Sequence, residues 1–286
     1  MKLSKELRTK LRHIEIHTRR LLSGTHIGDY NSSKKGSGME FNQIREYHQG
    51  DDVRFIDWKG TARANTLLVR EYVEQRNRTI MIVVDGSASM ACGSSKELKQ
   101  EIAAQLASVL ALVAHYGKDQ TGLILFSDQV EKVFTPAHGI QHTHRLMEAV
   151  FTHEGKGASS LKDACQRLMH LNRKDAIVFL ISDFIDTQAE QALKLISNKF
   201  ETVALVCRDQ REMTFPSCGM LPVYDPETGQ SGYLNTRSAT VQSLLNQEYE
   251  EAIMGLKKAG IDRFVVTPGR PFIGDFIRFC RQRLLY

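Results

Sequence analysis

The residues with the clearest chemical purpose are Asp85, Ser87 and Ser89, in the run Asp85-Gly86-Ser87-Ala88-Ser89-Met90. A carboxylate followed by two hydroxyls at alternate positions presents hard oxygen donors from one tight turn toward one point. A set of that kind, low in total charge, suits Mg2+ or Mn2+, with water filling the remaining octahedral positions. Asp183 follows an apolar run in the same way and offers a second carboxylate. Between them, Gly157-Ala158-Ser159-Ser160-Leu161 offers a third hydroxyl, from Ser159 or Ser160. Helix capping is the competing explanation for such residues. It suits Ser159 and Ser160, with Asp163 at capping-box spacing from Ser160, and Thr187, with Glu190. Asp85, Ser87, Ser89 and Asp183 stand clear of the predicted helix starts.

Other chemistries fit less well. A strand-end Asp85 resembles the nucleophile of haloacid dehalogenase-type phosphatases, and a metal-dependent hydrolase is the alternative enzyme reading. Such enzymes need a general-acid carboxylate two residues on, where this chain has Ser87. The sequence has no G-x-x-x-x-G-K-[ST] phosphate loop, no H-E-x-x-H and no G-x-S-x-G. His138, His142 and His144, and the pair His13 and His17, could hold zinc, but none has cysteine or carboxylate company at a ligand spacing. They read as solvated histidines, and the expectation is a protein that is not an enzyme.

The elements that would position these oxygens are legible from residue 79 onward. Thr79–Val84 is a short β-branched run, suited to a strand buried on both faces. Lys96–Tyr116 predicts a long helix closed by Gly117 as its left-handed C-terminal glycine. Strands follow at Gly122–Phe126, Val130–Phe134, Ala176–Ser182, Thr202–Cys207 and Arg263–Thr267. Helices are expected near 142–152, 160–171, 188–199 and 237–258 and from 273. Residues 209–234 predict a hairpin. Apolar strands alternating with helices give an α/β fold with a mostly parallel sheet covered on both faces. On such a sheet ligands bind beyond the carboxyl ends of the strands, where Asp85 and Asp183 lie.

The 286 residues are 42% hydrophobic and 25% charged, an ordinary globular composition that excludes wholesale disorder and a disulfide miniprotein. The longest nearly apolar stretch, Ala103–Ala114, is too short to cross a membrane. Five dispersed cysteines read as small core residues in a reducing compartment. With no signal-peptide core at the N-terminus, they predict a cytoplasmic protein. The formal charge of +5 is concentrated in residues 1–78, which carry 16 basic and 10 acidic residues. Leu3, Leu7, Leu11, Ile14 and Leu21 make residues 1–23 an amphipathic basic helix. It suits an anionic membrane surface or nucleic acid, but without aromatic anchors it is better read as packing its leucines on the body. No nucleic-acid partner is expected. Residues 1–78 are expected to form an appendage and residues 79–286 the α/β domain.

The constellation Asp85, Ser87, Ser89 and Asp183 resembles the metal-ion-dependent adhesion site of von Willebrand factor A domains. That resemblance implies a von Willebrand factor A-like, Rossmann-like fold. It also implies Mg2+, or Mn2+, held by Asp85, Ser87, Ser89, Ser159 and Asp183, with Ser159 standing where the family has threonine. The cation's open position would take a carboxylate from a partner protein. A longer block runs Arg45-Glu46-Tyr47, Gly50-Asp51-Asp52, Arg54, Ile56-Asp57-Trp58, Ala62-Arg63 and Val69-Arg70-Glu71. It is similar to the R-E-Y-x-x-G-D-D-x-R-x-I-D-W-x-x-x-A-R block of the bacterial domain-of-unknown-function family numbered fifty-eight. This second resemblance implies a MoxR-type AAA+ ATPase, or its client, as partner. Read from its residues alone, the block predicts ion pairs around Trp58 that hold an irregular segment against the sheet.

Overall fold

In the computed structural model, residues 5–23, 39–74, 78–95, 97–171, 175–185, 189–213 and 218–284 are described. The chain forms two compact units, one of residues 1–25 with 78–286 and one of residues 26–77.

The larger unit is built on a six-stranded sheet of β3 (Thr79–Asp85), β4 (Gln120–Phe126), β5 (Val130–Ala137), β6 (Ala176–Ser182), β7 (Glu201–Cys207) and β10 (Asp262–Val266). Their order is β10-β7-β6-β3-β4-β5, parallel throughout except for the antiparallel edge strand β5. The fold class is the expected one: α/β, with a mostly parallel sheet between helices. The apolar runs are continuous because both faces of the sheet are covered. Ile80, Ile82 and Val84 of β3 enter one core cluster, and Met81 and Val83 enter the other. The first cluster is shared with α3 (Lys99–Tyr116), α4 (Ile140–Phe151) and α9 (Ile273–Leu284). The second is shared with α5 (Leu161–Met169), α6 (Glu190–Lys199) and α8 (Ala239–Lys258).

Helix α3 is buried almost all round because a further helix, α1 (Lys5–Ser23), packs on it. Ile14 of α1 lies in the first core cluster, Leu11 packs against it, and Lys10 pairs with Glu101 at 3.0 Å. The basic helix therefore turns apolar positions onto the body, and the expected division at residue 78 is corrected. Residues 1–25 belong with the α/β unit, and 26–77 form the second unit. Leu3 lies outside the described residues. Gly117 ends α3 with φ −76°; the left-handed residue is Lys118, at φ 60°. Of the five cysteines, all free, Cys165, Cys207 and Cys280 are buried, whereas Cys92 and Cys218 are exposed. Among the described residues no helix is long and apolar enough to cross a membrane.

The smaller unit pairs β1 (Met39–Glu46) with β2 (Leu68–Glu74) antiparallel, and between them lie a 3-10 turn at Val53–Phe55 and the helix α2 (Trp58–Ala64). The expected ion pairs form within this unit: Arg45–Asp51 at 2.7 Å, Arg54–Asp52 at 2.6 Å and Arg70–Asp57 at 3.0 Å. Trp58, expected at their centre, is instead 69% exposed. Arg45 holds the Asp51 carboxyl down at about 2, and Arg70 lowers that of Asp57. A depressed carboxylate stabilises the folded unit above its ordinary pKa, and that stabilisation is lost as pH falls through the folded value. This unit should therefore hold from neutrality to about pH 4 and loosen between there and about pH 2. Trp58 is the chain's single tryptophan, so its fluorescence anisotropy in an acid titration checks the window. Arg45→Ala should move the loosening to higher pH, and an unmoved curve would exclude the pair as its cause.

Candidate metal centre

The site forms where the order of the sheet reverses, between β3 and β6. The chain leaves β3 toward the α3 face and β6 toward the α6 face, opening a crevice beyond the strand ends. Register places Val84 beside Ile181, so Asp85 and the Ser182-Asp183 pair emerge side by side. Asp85 is 1% exposed. Its Oδ1 accepts the Ser87 backbone N–H at 2.9 Å. Its Oδ2 accepts the hydroxyls of Ser159 at 2.8 Å and Ser182 at 2.7 Å. Ser87 and Ser89, both buried, stand with their Oγ atoms 3.0 Å apart.

The loop that carries Ser159 is tied by backbone bonds to the Asp85 turn and to the end of β4. Lys156 N donates to Gly86 O at 3.0 Å, Ala88 N to Gly157 O at 2.9 Å, and Ser160 N to Ser127 O at 2.7 Å. Glycine is needed at position 86, where a Cβ would overlap the buried His153 imidazole. Ser160 is the N-cap of α5 but makes no side-chain capping bond. The hydroxyl that reaches the site is thus Ser159, and the capping box with Asp163 does not form. Thr187 lies outside the described residues.

Asp183 is also 1% exposed, but it faces Lys99, whose Nζ donates to it at 2.9 Å and to Glu212 at 2.6 Å. Burial by itself would push the Lys99 ammonium down, but the two carboxylates outweigh it and the net shift is upward. Asp85 has no such partner. Among the described residues no lysine or arginine pairs with it, and burial, then the charge of Asp183, pushes its carboxyl up. Immediately after Asp183, Phe184 takes φ 54° and donates its N–H to Ser182 Oγ at 3.0 Å. A left-handed bulky residue costs of order 1–3 kcal/mol, and this one fixes the turn that carries Asp183.

The hairpin of β8 (Met220–Tyr224) and β9 (Ser231–Asn235) carries half-buried Glu227 in its turn. Burial pushes its carboxyl up, and the charges of Asp183 and Asp85 add to that rise.

The donors fit a small divalent cation. Adjacent ligands of an octahedral magnesium at roughly 2.1 Å lie about 3.0 Å apart, the separation of Ser87 and Ser89 Oγ. Asp85 supplies a buried carboxylate that no lysine or arginine among the described residues pairs with. The sequence-predicted residues Asp85, Ser87, Ser89 and Ser159 are joined by hydrogen bonds, with Asp183 beside them and tied to Lys99. Sequence reading missed Ser182, Lys99 and Glu212. Only Ser182 carried a signal, as the last residue of its strand. Among the described residues neither histidine group gathers ligands: His142 bonds Thr121 O and His144 approaches Glu15, while His13 and His17 stack. Among the described residues no three histidine, cysteine or acidic side chains are grouped closely enough to ligate a metal by themselves. Any cation here would depend on hydroxyls.

The family model described as "Protein of unknown function DUF58" matches residues 43–253, about three-quarters of the chain. The chain belongs to that family. The uncharacterized proteins Rv1480 of Mycobacterium tuberculosis and Mb1516 of Mycobacterium bovis are each 25% identical to this DUF58 chain over 290 residues, covering 97% of it and 90% of each relative. Among solved structures, the DUF58 chain is similar to the conserved hypothetical protein BatB from Bacteroides thetaiotaomicron. The TM-score is 0.48 at 13% identity, covering 72% of this chain and 99% of that one. It is also similar to the SpRpn10 VWA domain, with a TM-score of 0.40 at 14% identity over 71% and 94% of the two chains. The family match takes in the whole Arg- and Asp-rich block at 45–63 and all of Asp85, Ser87, Ser89, Ser159 and Asp183.

Proposed function

We propose that this DUF58 chain is a non-enzymatic, divalent-metal-dependent protein-interaction module. Mg2+ or Mn2+ is held at Asp85, Ser87, Ser89, Ser159 and Asp183, and an acidic side chain of a partner completes the site. In this reading Ser87 and Ser89 bind the cation directly, and the aspartates bind it directly or through water. The observation that carries the reading is Asp85: a carboxylate 1% exposed, ringed by hydroxyls, with no lysine or arginine paired to it among the described residues. Leaving such a charge uncompensated is costly, and a bound cation offsets that cost. The same burial argues against Asp85 as a nucleophile, because three donors already occupy its oxygens. The partner is a MoxR-type AAA+ ATPase or its client, and the setting is the cytoplasm. Support for the partner is the resemblance of the 45–63 block, together with a sequence that carries no phosphate loop of its own.

The test is thermal unfolding of the wild type and Asp85→Ala across Mg2+ and Mn2+ titrations, against a chelator. A cation at a hundredfold its dissociation constant adds about 2.7 kcal/mol, or roughly 5–10 °C for a chain of this size. The shift is expected in the wild type alone. No shift in either protein would remove the metal from the function and move partner recognition to the 45–63 block.

A further inference from the structure

Arg208 is a buried cation with no anion of its own among the described residues. Alternation along β7 sends Val203, Leu205 and Cys207 into the first core cluster, and Ala204 and Val206 into the second, the one shared with α8. One residue further on, Arg208 falls on the α8 side, and its guanidinium carbon lies 4.8 Å from the centre of the Tyr249 ring. Its backbone N–H donates to Val266 O at 3.0 Å, extending the pairing of β7 with β10 beyond the last strand residue. The residue is therefore fixed at the carboxyl edge of the sheet, the end at which open α/β sheets bind ligands. Arg208 is 7% exposed, and its Nε is sealed from solvent without a hydrogen-bond partner.

The nearest acids in sequence are already engaged. Asp209 accepts the Ser94 N–H and hydroxyl and the Arg211 N–H, and Glu212 accepts from Lys99 and from the Asp209 N–H. Stacking over tyrosine offsets part of the cost of burying a guanidinium, but it gives the N–H groups no oxygen. We infer that Arg208 is a binding site for a carboxylate from outside the chain, at the ends of β7 and β10 beside α8. A carboxylate matches the guanidinium in charge, and its two coplanar oxygens fit the guanidinium fork. A phosphate at neutral pH would bring a second negative charge into a site that offers one buried cation and adjoins Asp209. The carboxylate belongs to an acidic side chain of a bound protein or to a free small molecule, which present the same group. The inference goes beyond the metal-centre reading and needs neither Mg2+ nor Asp85.

The experiment uses the full chain, isotope-labelled in its arginine side chains, with sodium acetate as probe at neutral pH and sodium chloride at equal ionic strength as reference. Heteronuclear NMR reads the Arg208 Nε–H resonance, which is assigned by its loss in Arg208→Met. It should move downfield along a saturating curve in acetate, and stay in place in chloride and in sodium phosphate. With acetate at about tenfold its half-saturation, the melting temperature of the wild type should rise by roughly 2–4 °C over chloride. That of Arg208→Met should not rise. A resonance that acetate leaves unmoved would overturn the site, and this arm needs only the wild type should Arg208→Met fail to fold. An equal response to chloride or phosphate would overturn the choice of a carboxylate. An equal rise in the melting temperature of Arg208→Met would overturn it as well, by placing the acetate elsewhere. A blocked peptide with one glutamate, set against its glutamine analogue, distinguishes the sources. Movement with acetate and the glutamate peptide assigns the side chain of a bound protein, and movement with acetate alone assigns a free small carboxylate.

Discussion

Lys99→Met is expected to lower the unfolding free energy by about 3–5 kcal/mol, the usual cost of removing one partner from a buried ion pair. Lys99 and Asp183 are each 1% exposed, and the lysine also holds Glu212. Methionine fills the volume of the lysine stem, so the loss is one of charge and hydrogen bonds rather than of packing. It leaves Asp183 beside Asp85 with no cation for either. Lys99 has a folded pKa above its ordinary value, so its contribution is full at neutral pH. It would be lost only as pH rises above about 10. Denaturant unfolding at pH 7 measures the cost. The double variant Lys99→Met/Asp183→Asn separates the cause, because it leaves neither charge behind. It should recover about 2 kcal/mol or more of the loss. A single variant costing under about 1 kcal/mol would mean that the pair does not hold the Asp183 turn.

Lys99 also shows what the sequence hides. In Lys96-Glu97-Leu98-Lys99 it reads as one more solvated charge at a helix start, whereas its partners lie 84 and 113 residues away. Local signals fared better. The runs at 79–84, 176–182 and 202–207 are buried on both faces, and such strands are nearly continuous in apolar residues. Asp85, Ser87 and Ser89 were legible because one tight turn brings them together, with no contribution from distant chain. The stripe on α1 showed that it covers something; its place on α3 is a tertiary choice. At the end of α3 the glycine rule misplaced the left-handed residue by one, because Asp119 N bonds Ala114 O and the turn closes at Lys118.

Gly155→Ala tests whether the loops of the site are locked together. A Cβ at position 155 would lie 2.8 Å from the Ser87 carbonyl oxygen and 3.0 Å from Ala91 Cβ. Both atoms belong to the turn that carries Ser87 and Ser89, and a backbone carbonyl cannot swing aside as a side chain can. Gly155 itself has no left-handed φ, so the penalty is crowding alone. The added methyl must push the Ser159 loop off the Asp85 turn, against the bonds from Lys156 N to Gly86 O and from Ala88 N to Gly157 O. Overpacking of this kind costs about 1–3 kcal/mol. Loosening Ser159 from Asp85 should also weaken Mn2+ binding by roughly tenfold. Gly255→Ala is the control: it sits inside α8 with nothing within 4 Å of its Cβ position. Alanine there should raise stability by about 0.5–1 kcal/mol and leave Mn2+ binding unchanged. The two glycines thus predict opposite signs for the same chemical change. If Gly155→Ala instead matches Gly255→Ala in both unfolding and Mn2+ titration, the two loops are not in close contact and Ser159 is held at Asp85 by its hydroxyl alone.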